Sequence, residues 1–284
     1  MSAAIRRHIQ LFCEVVVPQQ TITAILWVLV GLMSVPFSFR NEMILLCLVV
    51  AIARFSGMCW NHLIDGWLDQ HNIRTKDRAF PSGRINRNEL LLYALVTYIS
   101  FLLLSFFFSM VGQIVALIVA VSLVVYSYLK RVSCFCHFFL GFFHGMLPLV
   151  GACFQIGYGS IASYCFCAAA WLSVTGTDIL YALQDERFDR ACFLYSLPSR
   201  YGKEISLYVA FFLHFFAWLF LCIACWLLIS PIGYIPLIGG CGIFWRKWQK
   251  IFRGKRFSFS FFLSSMAYVA VISLLVERVW IALL

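Results

Sequence analysis

The sequence predicts an all-α integral membrane protein, and three observations support that fold class. Of the 284 residues, 63% are hydrophobic and 12% are charged, which leaves too little polar surface to cover a soluble globule. Nine apolar runs follow one another along the chain, most of them long enough to cross a bilayer. The loops between these runs alternate sharply in positive charge. We therefore expect nine transmembrane helices.

The nine predicted spans are residues 20–38, 43–65, 89–110, 112–130, 138–157, 161–183, 204–229, 231–245 and 259–283. The first follows Arg6 and Arg7, as in a signal peptide, but no small-residue cleavage pattern comes after it, so we interpret it as a retained helix. The next six spans and the last are apolar runs bounded by charged or turn-forming residues. The eighth is short and contains Pro231 and Pro236, so we expect it to be broken or tilted.

The distribution of lysine and arginine indicates the orientation of these spans. Of the 22 Lys and Arg residues, only Arg40, Arg54 and Arg278 lie outside the N-terminal segment and the loops after the second, fourth, sixth and eighth spans. The positive-inside rule then places the N-terminus in the cytoplasm and the C-terminus on the opposite side, as expected for a bacterial cytoplasmic membrane. The net charge of +10 thus reflects membrane topology, and we expect no nucleic-acid partner.

Five of the six aspartates fall in two clusters at the predicted cytoplasmic ends of spans. Asn61, Asp65 and Asp69 are spaced four residues apart, so a helix places them on one face. The second cluster consists of Asp178, Asp185 and Asp189. Its members would return to nearly the same face of a continuous helix, because they follow one another at helical offsets.

Oxygen ligands grouped at a membrane face suit a hard divalent cation, usually Mg²⁺, with a diphosphate as its natural partner. Carboxylates this close together repel each other and take up protons unless a cation compensates them. The alternative is structural: the aspartates cap helix ends or pair with nearby arginines. Two clusters of the same design at one membrane face favour the metal interpretation.

Basic residues suited to phosphate lie near both clusters. They are Arg74, Arg78, Lys130, Arg131 and Arg200. Guanidinium groups bind phosphate oxygens in a bidentate manner. Positive-inside topology alone would also place basic residues here. We favour Arg78, Lys130 and Arg131, which are close in sequence to the first carboxylate helix or to Tyr126.

This pattern resembles the UbiA superfamily of intramembrane aromatic prenyltransferases, over nearly the whole chain. The family motif N-D-x-x-D-x-x-x-D is similar to residues 61–69, and the motif Y-x-x-x-K-R is similar to residues 126–131. The second family motif, Y-D-x-x-Y-A-x-x-D-x-x-x-D, is similar to residues 177–189. His62 departs from the family pattern, which has an aspartate there. Residues 195–202 are similar to the 4-hydroxybenzoate polyprenyltransferase-like subgroup.

The resemblance implies a single UbiA-like transmembrane prenyltransferase domain over residues 1–284, with a central cavity that opens to the cytoplasmic side. It implies transfer of a polyprenyl group from polyprenyl diphosphate to a 4-hydroxybenzoate-type ring in quinone biosynthesis. Mg²⁺ would be held by the Asn61 and Asp178 clusters, with the aspartates at 65, 69, 185 and 189 acting in catalysis. Tyr126 and Tyr181 would stabilise the allylic cation by cation–π contact.

Several alternatives remain open at this stage. The acceptor could belong to a menaquinone pathway, by the futalosine or the naphthoate route. A cation-coupled secondary transporter would also carry intramembrane acids, although transporters place them near the bilayer midplane. A lipid-diphosphate-binding protein without catalytic activity is the third alternative. His62 and Asp77 are candidate assistants in ring deprotonation. The oligomeric state is not indicated.

Overall fold

The computed structural model describes residues 3–36, 41–254 and 259–283, and every regular element in these ranges is a helix. The α-helices of the described chain are α1 (Ala3–Val16), α2 (Pro18–Met33), α3 (Glu42–His71), α4 (Arg87–Ser105), α5 (Met110–Leu129), α6 (Cys136–Gly145), α7 (Leu147–Ile156), α8 (Ile161–Ala182), α9 (Glu186–Ala191), α10 (Leu197–Trp226), α11 (Tyr234–Phe252) and α12 (Phe259–Leu283). A short 3₁₀ helix, Pro231–Gly233, precedes α11. Arg40, Lys255, Arg256 and the end of the first predicted span lie outside the described residues.

Each of the nine predicted spans coincides with helix in the described part of the chain. Seven segments there are long and apolar enough to cross a membrane, and α6 and α7 together count as one of them. A bent pair, α1 and α2, raises this number to eight. The eighth predicted span falls on α11, which is not among these segments. The chain is thus a multi-pass membrane protein, while the count of nine crossings stays a prediction.

The helices fall into two compact units. Unit 1 comprises Met1–Thr21, Arg40–Cys134 and Arg187–Tyr195. Its core lies where α1 and α4 pack against α3, and Leu11, Cys59, Ile85 and Leu90 are buried there. Helix α4 begins at a capping box in which the Asn86 side chain accepts from the backbone N–H of Glu89 (2.9 Å).

Unit 2 comprises Ile22–Phe39, Phe135–Glu186 and Ser196–Leu284, and α8 is its central helix. Helix α8 packs against α6, α7, α10 and α12, and many of its buried residues are small. Small side chains let helix backbones approach closely, which is the usual basis of helix packing inside membranes. Capping boxes at Ser160 and Ser196 begin α8 and α10. These caps fix the start of the two helices that carry or adjoin the second aspartate cluster.

Candidate functional site

The first carboxylate cluster lies on the last turns of α3, on one face as predicted. The Asn61 amide Nδ2 donates to Asp65 Oδ2 at 3.0 Å and to the Ser127 hydroxyl oxygen at 3.3 Å. The Asp65 side chain is only 4% exposed and that of Asp69 is 13% exposed. A carboxylate buried to this degree needs charge compensation to remain ionised.

Lys130 and Arg131, at the end of α5, supply this compensation to Asp65. The Lys130 Nζ lies 2.7 Å from Asp65 Oδ2, and the Arg131 guanidinium lies 3.4 Å from Asp65 Oδ1. Arg131 also donates to the backbone carbonyl of Ile64 at 2.8 Å and lies over the ring of Tyr128. Two of the three cations that the sequence favoured for phosphate therefore converge on one carboxylate.

Arg78, the third favoured cation, lies against Asp69. Its Nη1 is 3.4 Å from Asp69 Oδ2, and His62 Nδ1 is 3.7 Å from the same oxygen. The residue that replaces the family's aspartate, His62, is thus buried beside the motif and not on its exposed face. Unit 1 brings all three cations to the Asn61–Asp69 motif.

The loop between α3 and α4 reaches Asp69 because it docks on α3. The Phe80 ring lies directly on Gly66, where any Cβ would overlap it. Thr75 Oγ1 donates to the Asp69 carbonyl at 3.0 Å, and the Asn72 side chain accepts from the backbone N–H of Arg74. The absence of a side chain at position 66 therefore permits the close approach that positions Arg78.

The same loop is tied to α1 by an exposed ion pair. Both terminal nitrogens of Arg84 donate to the Glu14 carboxylate, and Arg84 Nη2 also donates to the Asp77 carbonyl at 2.8 Å. The hydrogen bond to Glu14 raises the pKa of Arg84 above its ordinary value. Because the pair is exposed, it orients the loop more than it stabilises the fold. The Asp77 side chain is exposed, and its suggested role as a base stays a prediction.

The second cluster does not occupy one continuous helix, so that prediction was wrong. Helix α8 ends at Ala182, Asp185 lies in the following turn, and Asp189 lies in the short helix α9. The backbone N–H groups of Gln184 and Asp185 bond three residues back, to Tyr181 and Ala182. Tighter turns of this kind replace the α-helical pattern, so the helical phase that linked Asp178 to the later aspartates is lost.

Asp178 remains on α8, and His137 of α6 holds it. His137 Nδ1 lies 2.7 Å from Asp178 Oδ2, and the Asp178 side chain is 21% exposed. Tyr126 on α5 and Tyr181 on α8 are each half-buried. Arg200 is exposed on the first turn of α10, ahead of a kink at Gly202.

The oxygen-bearing side chains of the first motif fit a hard divalent cation. Asp65, whose side chain is buried, already holds a cationic group, the Lys130 ammonium, at hydrogen-bond distance. Within the described residues, no three His, Cys, Asp or Glu side chains approach closely enough to hold a metal by themselves. Mg²⁺ usually binds through one or two protein carboxylates together with water and substrate phosphates, so the donor set of each motif suits it.

Three further residues that contact the motifs or share the helix face of Asn61 were not among the residues that the sequence pattern indicated. Ser127 and His137 contact the motifs across 66 and 41 residues of chain, so no local spacing announces them. Arg54 lies within the second predicted span. It is seven residues before Asn61, hence on the same face of α3 about 10 Å deeper. Its Nη2 donates to the Gln20 amide oxygen at 2.6 Å. The spacing of seven residues between Arg54 and Asn61 is the sequence signal that could have indicated this shared face.

Comparison with known proteins adds to this geometry. The model of the UbiA prenyltransferase family matches residues 21–266. The chain is 24% identical, over 72% of its length and 73% of the relative, to a digeranylgeranylglyceryl phosphate synthase of Methanosphaera stadtmanae. It is 28% identical, over 60% of its length and 58% of the relative, to a 4-hydroxybenzoate octaprenyltransferase of Shewanella denitrificans. A solved structure of a UbiA homolog from Archaeoglobus fulgidus, described as bound to GPP and Mg²⁺, has a similar fold (TM-score 0.72, 15% identity, 96% of this chain and 99% of that one).

Proposed function

Because the chain belongs to the UbiA prenyltransferase family, we propose that it transfers a polyprenyl group from polyprenyl diphosphate to a 4-hydroxybenzoate-type ring, with release of diphosphate. The family resemblance and the enzyme class predicted from the motifs are confirmed by the family match. This match also favours an enzyme over the transporter and the non-catalytic binder. The acceptor, its pathway and the residue roles below are proposals.

The diphosphate is proposed to bind where Arg78, Lys130 and Arg131 meet the Asn61–Asp69 motif. This convergence of three cations on two carboxylates, Asp65 and Asp69, is the observation that carries the proposal. Each cation holds N–H donors that suit phosphate oxygens, and the arginines do so in a bidentate manner. Arg74, on the same loop, and Arg200, on α10, are the remaining candidates for diphosphate contacts.

Mg²⁺ is the proposed cofactor, with Asn61, Asp65, Asp69, Asp178, Asp185 and Asp189 as the side chains that would hold it. When bound, it supplies positive charge that stabilises the diphosphate as a leaving group. The motif side chains would hold this positive charge next to the diphosphate. Lys130 and Arg131, which contact Asp65, would add their own positive charge there. The structurally similar Archaeoglobus homolog, described as bound to GPP and Mg²⁺, supports Mg²⁺ as the cofactor.

The prenyl group leaves as an allylic cation or with much cationic character, so it requires electron-rich neighbours and little water. Tyr126 and Tyr181 are proposed to face this charge through their rings. Both are half-buried, as a ring that borders a substrate site would be. The long isoprenoid tail stays in the bilayer, which accounts for a reaction site built into a multi-pass membrane protein. We place the protein in a bacterial cytoplasmic membrane with this site toward the cytoplasm.

Arg54 supports an acceptor that carries an anion. An arginine within a membrane span is costly, and such residues commonly mark a substrate or ion site. Its Nη2 donates to the Gln20 amide oxygen, which holds the guanidinium on the same helix face as Asn61. Its position about two helical turns below Asn61 would let it bind the carboxylate of 4-hydroxybenzoate while the ring approaches the prenyl donor. A dihydroxynaphthoate of a menaquinone pathway carries a carboxylate as well, so it remains the nearest alternative.

A second candidate function follows from the archaeal relatives. Digeranylgeranylglyceryl phosphate synthases of Methanosphaera stadtmanae and Methanocaldococcus jannaschii match 72% and 81% of the chain. Their names describe a product with a glyceryl phosphate, whose anion Arg54 would also accept. In that case the acceptor would be a glyceryl ether phosphate and the product a membrane lipid.

An acceptor panel with an Arg54 variant tests the proposal. Membranes that contain the protein receive Mg²⁺ and geranyl diphosphate with 4-hydroxybenzoate, 1,4-dihydroxy-2-naphthoate or geranylgeranylglyceryl phosphate. We expect prenylated 4-hydroxybenzoate, and an Arg54→Gln variant should raise the KM for the acceptor by about 10- to 100-fold while the KM for geranyl diphosphate is unchanged. Exposed Arg187→Gln is the control. Prenylation of only the glyceryl ether, or an unchanged acceptor KM in the Arg54 variant, would contradict it.

A further inference from the structure

His137, near the start of α6, is buried between two other helices of unit 2 and contacts both through its ring. Only 4% of the His137 surface is exposed. Nδ1 lies 2.7 Å from Asp178 Oδ2 on α8, and Nε2 lies 3.2 Å from the backbone nitrogen of Leu197, the first residue of α10. His137 itself belongs to none of the sequence motifs, and the chemistry proposed above assigns it no part.

The two contacts fix where the imidazole carries its proton. A backbone N–H only donates, so Nε2 must accept from Leu197 with its lone pair. The proton of the neutral ring then sits on Nδ1, which points at the Asp178 carboxylate. His137 therefore donates to Asp178, and Leu197 donates to His137, in one directed chain of hydrogen bonds.

The N-terminus of α10 makes this chain rigid. The first N–H groups of a helix have no partner within the helix. The Ser196–Ser199 capping box satisfies the N–H of Ser199, and His137 Nε2 satisfies that of Leu197. The ring is thus held at both nitrogens, by α8 on one side and by the end of α10 on the other. It has no freedom to turn without leaving a buried polar group unpaired.

We propose that His137 is a positioning residue: it holds Asp178 Oδ2 through Nδ1–H and leaves Oδ1 as the oxygen offered to the divalent cation. This inference rests on the proposed function, because it assigns Asp178 as a ligand. Carboxylate ligands are commonly oriented by hydrogen bonds of this kind, and loss of such a partner costs about 10- to 100-fold in metal affinity. A capping role at α10 alone would need Nε2 but not Nδ1–H.

Two substitutions separate these roles, because each keeps one nitrogen's function. In His137→Asn the side-chain amide lies where Nδ1 was and retains a donor for Asp178. In His137→Gln the amide reaches the place of Nε2 and retains an acceptor for Leu197. The matched control is His144→Asn on the same helix, whose Nδ1 contacts the Leu140 carbonyl of its own helix.

The measurement is binding of Mn²⁺, followed by electron paramagnetic resonance, to purified protein saturated with geranyl thiolodiphosphate, an unreactive analogue. His137→Gln should raise the half-saturating Mn²⁺ concentration by about 10- to 100-fold, whereas His137→Asn should stay within about threefold of the unaltered protein. Apparent Mg²⁺ requirement in prenyl transfer should follow the same order, and His144→Asn should shift neither.

The thermal midpoint of each variant without metal reports on the cap at α10, so it separates folding from metal positioning. The proposal would be overturned if His137→Gln bound Mn²⁺ normally while His137→Asn did not. It would also be overturned if the two variants lost Mn²⁺ affinity equally, or if neither lost any. If the unaltered protein itself binds no Mn²⁺ with the analogue, the proposed function fails, and with it the premise of this inference. If it binds Mn²⁺ and the variants do not separate, only the role of His137 fails.

Discussion

Asp65 receives more charge-assisted contacts from side chains than Asp69 or Asp178 does. Lys130, Arg131 and Asn61 all direct N–H groups at its two oxygens. The Lys130 ammonium, which lies against a buried prospective metal ligand, has a consequence for the order in which metal and diphosphate bind. A divalent cation alone must compete with Lys130 for Asp65, whereas a diphosphate offers Lys130 a new anionic partner. Metal and diphosphate should therefore bind synergistically.

A Lys130→Met variant should move two affinities in opposite directions. Without diphosphate, Mn²⁺ should bind more tightly, because the competing ammonium is gone. The half-saturating geranyl diphosphate concentration should rise by about 10-fold, the cost of one charge-assisted hydrogen bond. Isothermal titration of each ligand measures both changes, with exposed Lys203→Met as the control. Weaker binding of both ligands would refute the competition.

At the residue scale, local spacing predicted what is local. The i, i+4 pattern placed Asn61, Asp65 and Asp69 on one face, and the cations that the sequence favoured for phosphate lie against Asp65 and Asp69, a contact that the structural alternative of ion pairing also predicts. His137 contacts Asp178 from 41 residues away in the sequence, and the packing of α6 on α8 brings the two side chains together. Only tertiary structure determines such a contact, so the sequence pattern did not reveal it.

Among the elements, the loop after α3 depends on a single close approach. Phe80 rests on Gly66, and this contact carries Arg78 to Asp69. A Gly66→Ala variant should push the ring and the loop outward and raise the half-saturating geranyl diphosphate concentration by about 10-fold or more, since misplacement by 1 Å has large kinetic effects.

A smaller residue at position 80 should repair that defect. In the Gly66→Ala, Phe80→Leu double variant, the methyl group gains room and diphosphate affinity should recover toward that of Phe80→Leu alone. Steady-state kinetics on the four proteins of this cycle measures the coupling. Additive effects of the two substitutions would show that the contact does not position the loop.

The kink in α10 gives a second prediction for an element. Gly202 has φ of 79° and ψ of 174°, and a Cβ there would touch nothing, so any cost of a side chain comes from the backbone alone. Gly202→Ala should lower stability by about 1–3 kcal/mol. Gly242→Ala, in the interior of α11 with equally open surroundings, should stabilise by up to about 1 kcal/mol. Thermal unfolding in detergent compares them, and equal midpoints would contradict the backbone argument.

At the scale of the whole molecule, apolar length and loop charge predicted helix in each of the nine spans of the described chain, while the break at Met146 inside the fifth span escaped prediction. This break and the turn at Val17 ahead of the first span depend on local backbone geometry that hydropathy does not encode. Nine crossings require the two ends of the chain to lie on opposite sides. We expect alkaline phosphatase fused after Leu284 to be active outside the cytoplasm and a fluorescent protein fused there to be dark. The reverse result would indicate an even number of crossings.

The most direct test of the central claim is mass-spectrometric detection of product from membranes given geranyl diphosphate and 4-hydroxybenzoate. Prenylated 4-hydroxybenzoate should form with Mg²⁺ and not with excess chelator. Asp65→Asn should reduce its formation by about 100-fold or more, as expected when charge aimed at the transition state is lost, and the exposed control Glu204→Gln should not. Product formed equally without Mg²⁺, or by Asp65→Asn at the rate of the unaltered protein, would contradict the claim that this carboxylate and its cations activate a prenyl diphosphate.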